Sequence, residues 1–310
     1  MTPDMSIWTG RVDAGEGELA RRWHQQVAPF AQGLPKGVGI IGFACDEGVR
    51  RNQGRVGAAA APQTLRKALA NLAWHQAQPL CDKGDVACTD GDLAAAHQRL
   101  ADAVRELMCA GHFPLVLGGG HETAFGTWSG LAAAAPDQVI GIINFDAHFD
   151  IREAAEATSG TPFAQIAAEC QRQDRPFHYL CLGVAEPSNT RALFARAETL
   201  GVQWLLDSQL TAADLPAADH ALQSFIDKVD IVYLTIDLDV LPASVMPAVS
   251  APAAMGVELP VVEALCRRIA ASGKLAAADL VELNPHFDID GHGAKTAARL
   301  AWTLTRHLAR

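Results

Sequence analysis

The stretch INFDAHFD, residues 143–150, sets Asp146, His148 and Asp150 two apart at the end of an apolar run. Carboxylates and an imidazole at that spacing are donors for a divalent cation. Two other places in the chain repeat the device. The run 114–118 (PLVLG) leads into GGGHE, Gly118 to Glu122, which carries His121, and the run 231–238 leads into Asp237 and Asp239 of LTIDLDV. An i, i+2, i+4 spacing lets an extended segment aim alternate side chains to one side. Four carboxylates and two imidazoles drawn into one cleft leave their charge uncompensated unless cations neutralise it, and two divalent ions would do so. An oxygen-rich set with two imidazoles suits Mn²⁺ better than the thiolate-containing sites of structural Zn²⁺.

Taken singly, each residue has a plainer explanation. An Asp at a strand end caps a helix or closes a turn, a His can be a hydrogen-bonded core residue, and GGG can be a tight turn. The triplet lacks the Gly-Lys-Ser/Thr of a P-loop and the G-x-G-x-x-G spacing of a dinucleotide site, so nucleotide binding is not indicated. The functional reading rests on joint occurrence at three strand ends, each beside an apolar run where an unpaired carboxylate would be costly.

These residues need a scaffold that brings separate strand ends together. Short apolar runs alternate with longer Ala-rich amphipathic segments, the α/β pattern, and eight strands are predicted over 37–43, 79–86, 114–118, 139–146, 177–184, 202–207, 231–238 and 275–284. Several are continuous Val/Ile/Leu runs, as a parallel sheet covered by helices on both faces requires. Helical stretches lie between them, such as 92–110, where Asp92 can cap the start and Gly111 the end, and a last helix over 293–309 closes the fold. In such a sheet ligands collect beyond the carboxyl ends of the strands. No repeat or linker divides the chain, so 1–310 is expected to be one domain with residues 1–36 as a peripheral arm.

Composition narrows the function classes. A net charge of −10 with no Lys/Arg cluster argues against nucleic acid and membrane as partners. The seven cysteines are scattered, odd in number and never Cys-x-x-Cys, which predicts reduced thiols in a cytoplasmic protein. The start of the chain has no signal-peptide pattern, and no apolar run reaches the ~20 residues of a membrane helix.

The three motifs, in this order, resemble those of the arginase/agmatinase (ureohydrolase) family over about residues 38 to 308. The resemblance implies a three-layer arginase-like fold and a binuclear Mn²⁺ centre that hydrolyses a C–N bond of an amidine or guanidine. It implies that His121 and Asp150 hold one ion, His148 and Asp239 the other, and that Asp146 and Asp237 bridge the pair. Glu282 in VELNP matches the family carboxylate that grips the substrate's amidinium or guanidinium, in keeping with a planar cation accepted by a carboxylate. A hydroxide bridging the ions would attack the substrate carbon, with Asp150 carrying the proton to the departing nitrogen. The family commonly forms trimers or hexamers, so a homo-oligomer is expected.

Departures from the arginase pattern point to a branch. GGGHE stands where arginases have Gly-Gly-Asp-His-Ser, VLP (240–242) follows the paired aspartates, and SGTPFA places Phe163 where arginases carry a proton-shuttling His. With RNQGRVGAAAAP, SAPAA and NPHFDID, the set is similar to the branch that hydrolyses N-formimidoyl-L-glutamate to L-glutamate and formamide. That substrate carries two carboxylates. Arg50, Arg51 and Arg55 are counter-charges for them, Arg55 foremost because Gly54 and Gly57 flank it, with Asn189 as a second candidate. Agmatine or guanidinobutyrate as substrate, and a catalytically silent metal-binding protein, are the competing readings; urea release would mark the first and bound manganese without turnover the second.

Overall fold

The computed structural model describes residues 2–309. Its strands are β1 (Val27–Pro29), β2 (Val38–Ala44), β3 (Leu80–Ala87), β4 (Phe113–Leu117), β5 (Ile140–Phe145), β6 (His178–Val184), β7 (Gln203–Leu206), β8 (Ile231–Asp237) and β9 (Leu275–Val281). Its α-helices are α1 (Glu47–Arg51), α2 (Ala61–Ala70), α3 (Leu93–Cys109), α4 (Thr123–Ala134), α5 (Pro162–Arg172), α6 (Arg191–Thr199), α7 (Leu215–Ile226), α8 (Leu259–Ala270) and α9 (His292–His307). The strands form one sheet in the order β1-β3-β2-β4-β9-β8-β5-β6-β7, every neighbouring pair parallel. The three-layer α/β architecture expected from the sequence is the one observed, with nine strands among the described residues instead of eight.

The additional strand is β1, three residues at the sheet edge with no apolar run to announce it. Its surroundings tie the start of the chain down: Trp23 is fully buried, and the Trp8 indole donates to Asp82 at 2.7 Å. Asp82 is also gripped through both oxygens by Arg66, which is itself only 2% exposed.

The central strands are buried almost throughout, as a sheet covered on both faces demands, and successive side chains enter different cores. Ile40, Ile143 and Phe145 face the core made with α2, α7, α8 and α9, while Ile41 packs against α3 and Ile142 packs with α4, α5 and α6. The helices follow their sequence signals. In α3 the Asp92 side chain accepts from Ala95 N–H at 2.9 Å, and Gly111 follows with φ 83°.

Topology decides where the motifs meet. From β4 the chain skips two positions to β5, runs outward through β6 and β7, then returns to fill the gap with β8 and β9. The carboxyl ends of β4, β9, β8 and β5 therefore stand side by side at the point where the winding direction reverses, the position at which α/β sheets bind ligands.

Candidate active site

Each donor segment begins where its strand stops. After β5, Asp146 Oδ1 accepts the backbone N–H of His148 at 2.7 Å; after β8, Asp237 Oδ1 accepts that of Asp239 at 2.8 Å. The i, i+2 spacing thus works through a turn closed by the first Asp of each motif, and the extended alternation expected from the sequence ends one residue earlier. In both motifs the second oxygen of that Asp is turned toward His121, at 3.1 Å from Nδ1 for Asp146 and 3.0 Å for Asp237. After β4, Gly120 N–H donates to Cys45 O at 3.0 Å and Gly119 O accepts Glu282 N–H at 2.8 Å, so the triple-glycine turn is stitched to the ends of both neighbouring strands. A Cβ on Gly119 would fall 1.6 Å from Cys45 O, which accounts for that glycine.

Two groups of metal-type donors result, His121 with Asp146, Asp150 and Asp237, and His148 with Asp146 and Asp239. His121 Nδ1 lies 3.1 Å from Asp146 Oδ2, 3.0 Å from Asp150 Oδ2 and 3.0 Å from Asp237 Oδ2. Although buried and so close to three carboxylate oxygens, Nδ1 has no partner in hydrogen-bonding geometry. His148 Nδ1 stands 3.0 Å from Asp239 Oδ2 and 3.5 Å from Asp146 Oδ1. Asp146 reaches both groups with different oxygens; Asp237 falls in the first alone. All six residues singled out in the sequence are brought together. Asn144 adds a tether, its amide donating to Asp146 Oδ2 and to the Tyr179 hydroxyl, each at 2.9 Å.

The electrostatics are those of a cation site. Burial pushes the carboxyls of Asp150, Asp237 and Asp239 upward, and the charge on Asp146 adds to each. Burial would do the same to Asp146, but the imidazoles of His121 and His148 beside it hold it below the usual carboxylate range. The imidazoles go the other way. Burial opposes their charge, yet the surrounding carboxylates hold both well above the ordinary histidine value. Protons on the imidazoles would do part of the neutralising that two divalent cations would complete. The buried, unpartnered Nδ1 facing three oxygens fits such an ion, and the oxygen-rich set fits Mn²⁺.

Glu282 completes the cleft from the end of β9. Its φ of 70°, like the 48° of Asp150, is a left-handed conformation that costs a non-glycine residue about 1–3 kcal/mol. That turn ends the strand at Val281, three residues short of the predicted boundary. Glu282 Oε1 accepts His121 N–H at 2.8 Å, while Oε2 is buried without a partner. Burial, then the charge of Glu122, pushes this carboxyl up to about 8. A cationic group placed against Oε2 would reverse that penalty.

The cavity between these groups measures about 140 Å³ and is lined by His148, Asp150, Asp237, Asp239 and Glu282, together with Asn52, Arg152, Ser159 and Ser188. A larger cavity of about 680 Å³ lies at the amino ends of the strands, beside Lys36 and His112, and holds none of these donors. Chemistry marks the smaller one.

The residues expected to bind carboxylates have other engagements. Arg55 donates to Val249 O at 2.6 Å and Ser250 O at 3.0 Å and stacks on Phe287, outside the cavity lining. Arg50 pairs with Glu47, and Arg51 with Glu47 and the Gly91 carbonyl. Asn189 is buried and pins the metal loop, donating to Ala147 O and Ala185 O at 2.9 Å and accepting Phe149 N–H at 3.2 Å. Arg152, two residues past Asp150, is the arginine that lines the cavity. Its only sequence signal was that nearness. Phe163 stacks on Tyr179 at 4.4 Å and meets the His121 ring edge-on at 5.3 Å, so the place of the shuttle His is filled by an apolar wall behind a metal-type donor.

Residues 36–306 match the model of the Arginase family. The chain belongs to the arginase family. It is 67% identical over 307 residues to the formimidoylglutamase of Chromobacterium violaceum, with 99% of each chain covered. Its fold matches the crystal structure of formimidoylglutamase from Bacillus subtilis with a TM-score of 0.85 at 24% identity, over 96% of this chain and 94% of that one. The Trypanosoma cruzi formiminoglutamase determined with Mn²⁺ matches with a TM-score of 0.79 at 25% identity, over 88% and 93% of the two chains.

Proposed function

We propose that this arginase-family chain is a hydrolase that converts N-formimidoyl-L-glutamate and water to L-glutamate and formamide, a step of histidine breakdown, in the cytoplasm and as a single domain over 1–310. The observation that carries the reading is Glu282, whose Oε2 is buried without a partner and which lines the same small cavity as members of both donor groups. The 67% identity to a formimidoylglutamase supports the choice of substrate.

His121, Asp146, Asp150 and Asp237 would hold one Mn²⁺, and Asp146, His148 and Asp239 the other. When bound, the ions supply Lewis acidity, which lowers the pKa of water and offsets negative charge that develops on oxygen. Glu282 holds the formimidoyl amidinium through Oε2 while Oε1 stays anchored on the His121 backbone. That fixes the reacting carbon over the donor groups. Asp150, which lines the cavity, takes a proton from the attacking water and passes it to the departing glutamate nitrogen, so no shuttle histidine is required at position 163. Arg152, at the rim beside Asp150, meets a substrate carboxylate, the role for which a guanidinium is suited.

The test is turnover by the Mn²⁺-loaded protein, with formamide, ammonia and urea measured separately. Stoichiometric formamide and glutamate from N-formimidoyl-L-glutamate are expected. Urea from a guanidine substrate at comparable kcat/KM would overturn the substrate assignment.

A further inference from the structure

One buried carboxylate next to the donor groups has no counter-ion. Asp279, in the middle of β9, is fully buried, with Ala277 and Tyr233 of the same sheet face packed into an apolar cluster under α4. Its Oδ2 accepts the Tyr233 hydroxyl at 2.5 Å, and its Oδ1 is buried with no partner in hydrogen-bonding geometry. Isolating a carboxylate this way is expensive. The register explains why it is there. Asp279 is paired across β8–β9 with Thr235, and Thr235 Oγ1 lies 3.1 Å from His121 Nε2.

We infer that Asp279 is a positioning residue, acting through Thr235 to fix the tautomer and the ring plane of His121. Thr235 has one hydroxyl proton. With the negative charge of Asp279 across the strand pair to turn that hydrogen away from the ring, the oxygen presents its lone pairs to His121 and accepts from Nε2–H. The proton of the neutral imidazole is then held on Nε2, and the lone pair of Nδ1 faces the three carboxylate oxygens of Asp146, Asp150 and Asp237. Without that charge across the strand pair, the Thr235 hydroxyl could donate to Nε2 instead, which would place the imidazole proton on Nδ1 and block it as a ligand. Phe163 at the ring edge and Thr235 at the ring nitrogen together leave His121 one orientation.

This inference rests on the two-metal reading, and one experiment separates them. The full-length metal-free protein and its Asp279→Asn, Thr235→Val and Thr235→Ser variants are titrated with Mn²⁺ alone by calorimetry, and the Tm of each metal-free form is recorded. The parent should bind two ions. Asp279→Asn and Thr235→Val should each weaken one of the two by about 10- to 100-fold and leave the other unchanged. Thr235→Ser, which keeps the hydroxyl, should retain the parent's affinity, and metal-free Asp279→Asn should melt no lower than the parent because a buried charge has been removed. Parent-like affinity for both ions in Asp279→Asn and Thr235→Val would overturn the inference while leaving the two-metal reading intact. Equal weakening of both ions with a lowered metal-free Tm would also overturn it, in favour of a purely structural role. A parent that binds fewer than two ions would refute the two-metal reading and this inference with it.

Discussion

Replacing Glu282 by Gln isolates the contact proposed to hold the substrate's amidinium. Glu282 divides its work between two oxygens: Oε1 takes the His121 backbone N–H at 2.8 Å and Oε2 is free. A Gln side chain can keep the first bond with its carbonyl oxygen, which leaves its NH₂ where Oε2 was. The backbone anchor of the metal loop survives, and a donor now faces the donors of the amidinium. The loss is one charge-assisted hydrogen bond, about 1.5–3 kcal/mol, which corresponds to a fall in kcat/KM of about 10- to 150-fold. Burial works against the Glu282 charge, so Gln should not lower the Tm of the metal-free protein. Formamide release measured with the Mn²⁺ content in parallel checks both halves. Retention of kcat/KM within about threefold would refute the assignment of Oε2 to the amidinium; loss of bound Mn²⁺ would instead mean that the side chain acts through the His121 loop.

Four further outcomes follow from the same geometry. Asp150→Asn should lower kcat by about 10²- to 10⁴-fold with Mn²⁺ still bound at the His148 side, and near-parent turnover with both ions bound would remove Asp150 from the proton path. Arg152→Ala should raise KM by about tenfold or more, as loss of a charged hydrogen bond implies. Arg55→Ala should leave KM nearly unchanged and lower the Tm, because its guanidinium holds the 249–250 carbonyls; steady-state kinetics and thermal melts of the pair distinguish the two arginines. The metal-free protein should lose stability as pH rises. Asp150, Asp237, Asp239 and Glu282 keep protons in the folded chain at pH values where the unfolded chain has released them, and His121 and His148 do so above the ordinary histidine value. The folded state therefore binds more protons, and unfolding free energy falls with pH. The Tm should drop between about pH 6 and pH 9, and Mn²⁺ should raise it more at the upper end; a metal-free Tm that climbs over this range would contradict the burial of these groups.

The sequence by itself determined the donor set and the class of fold, because both are written locally. A central parallel strand is a continuous apolar run whatever its neighbours are, and a turn closed by an Asp side chain needs only the residues at i and i+2. Hence β5 and β8 were legible together with the Asp and His residues that follow them, and the conjunction of three such ends implied a shared cleft. Edge strand β1 was not legible, since three residues with one face on the sheet leave no periodicity. The choice among arginines was not legible either. Arg55 and Arg152 both flank motifs, and only the folded loops decide that one guanidinium is engaged by the carbonyls of Val249 and Ser250 while the other lines the cavity. Nor could the chain order show that Asp279 stands behind His121. That relation passes through the register of β9 against β8 and the contact of Thr235 with the β4 loop, residues up to 158 positions apart, since His121 and Asp279 differ by 279 − 121. Donor identity is a property of residue type and local spacing. Which donor is free, which is engaged and which is held in place by another is a property of packing, and only the tertiary structure decided it.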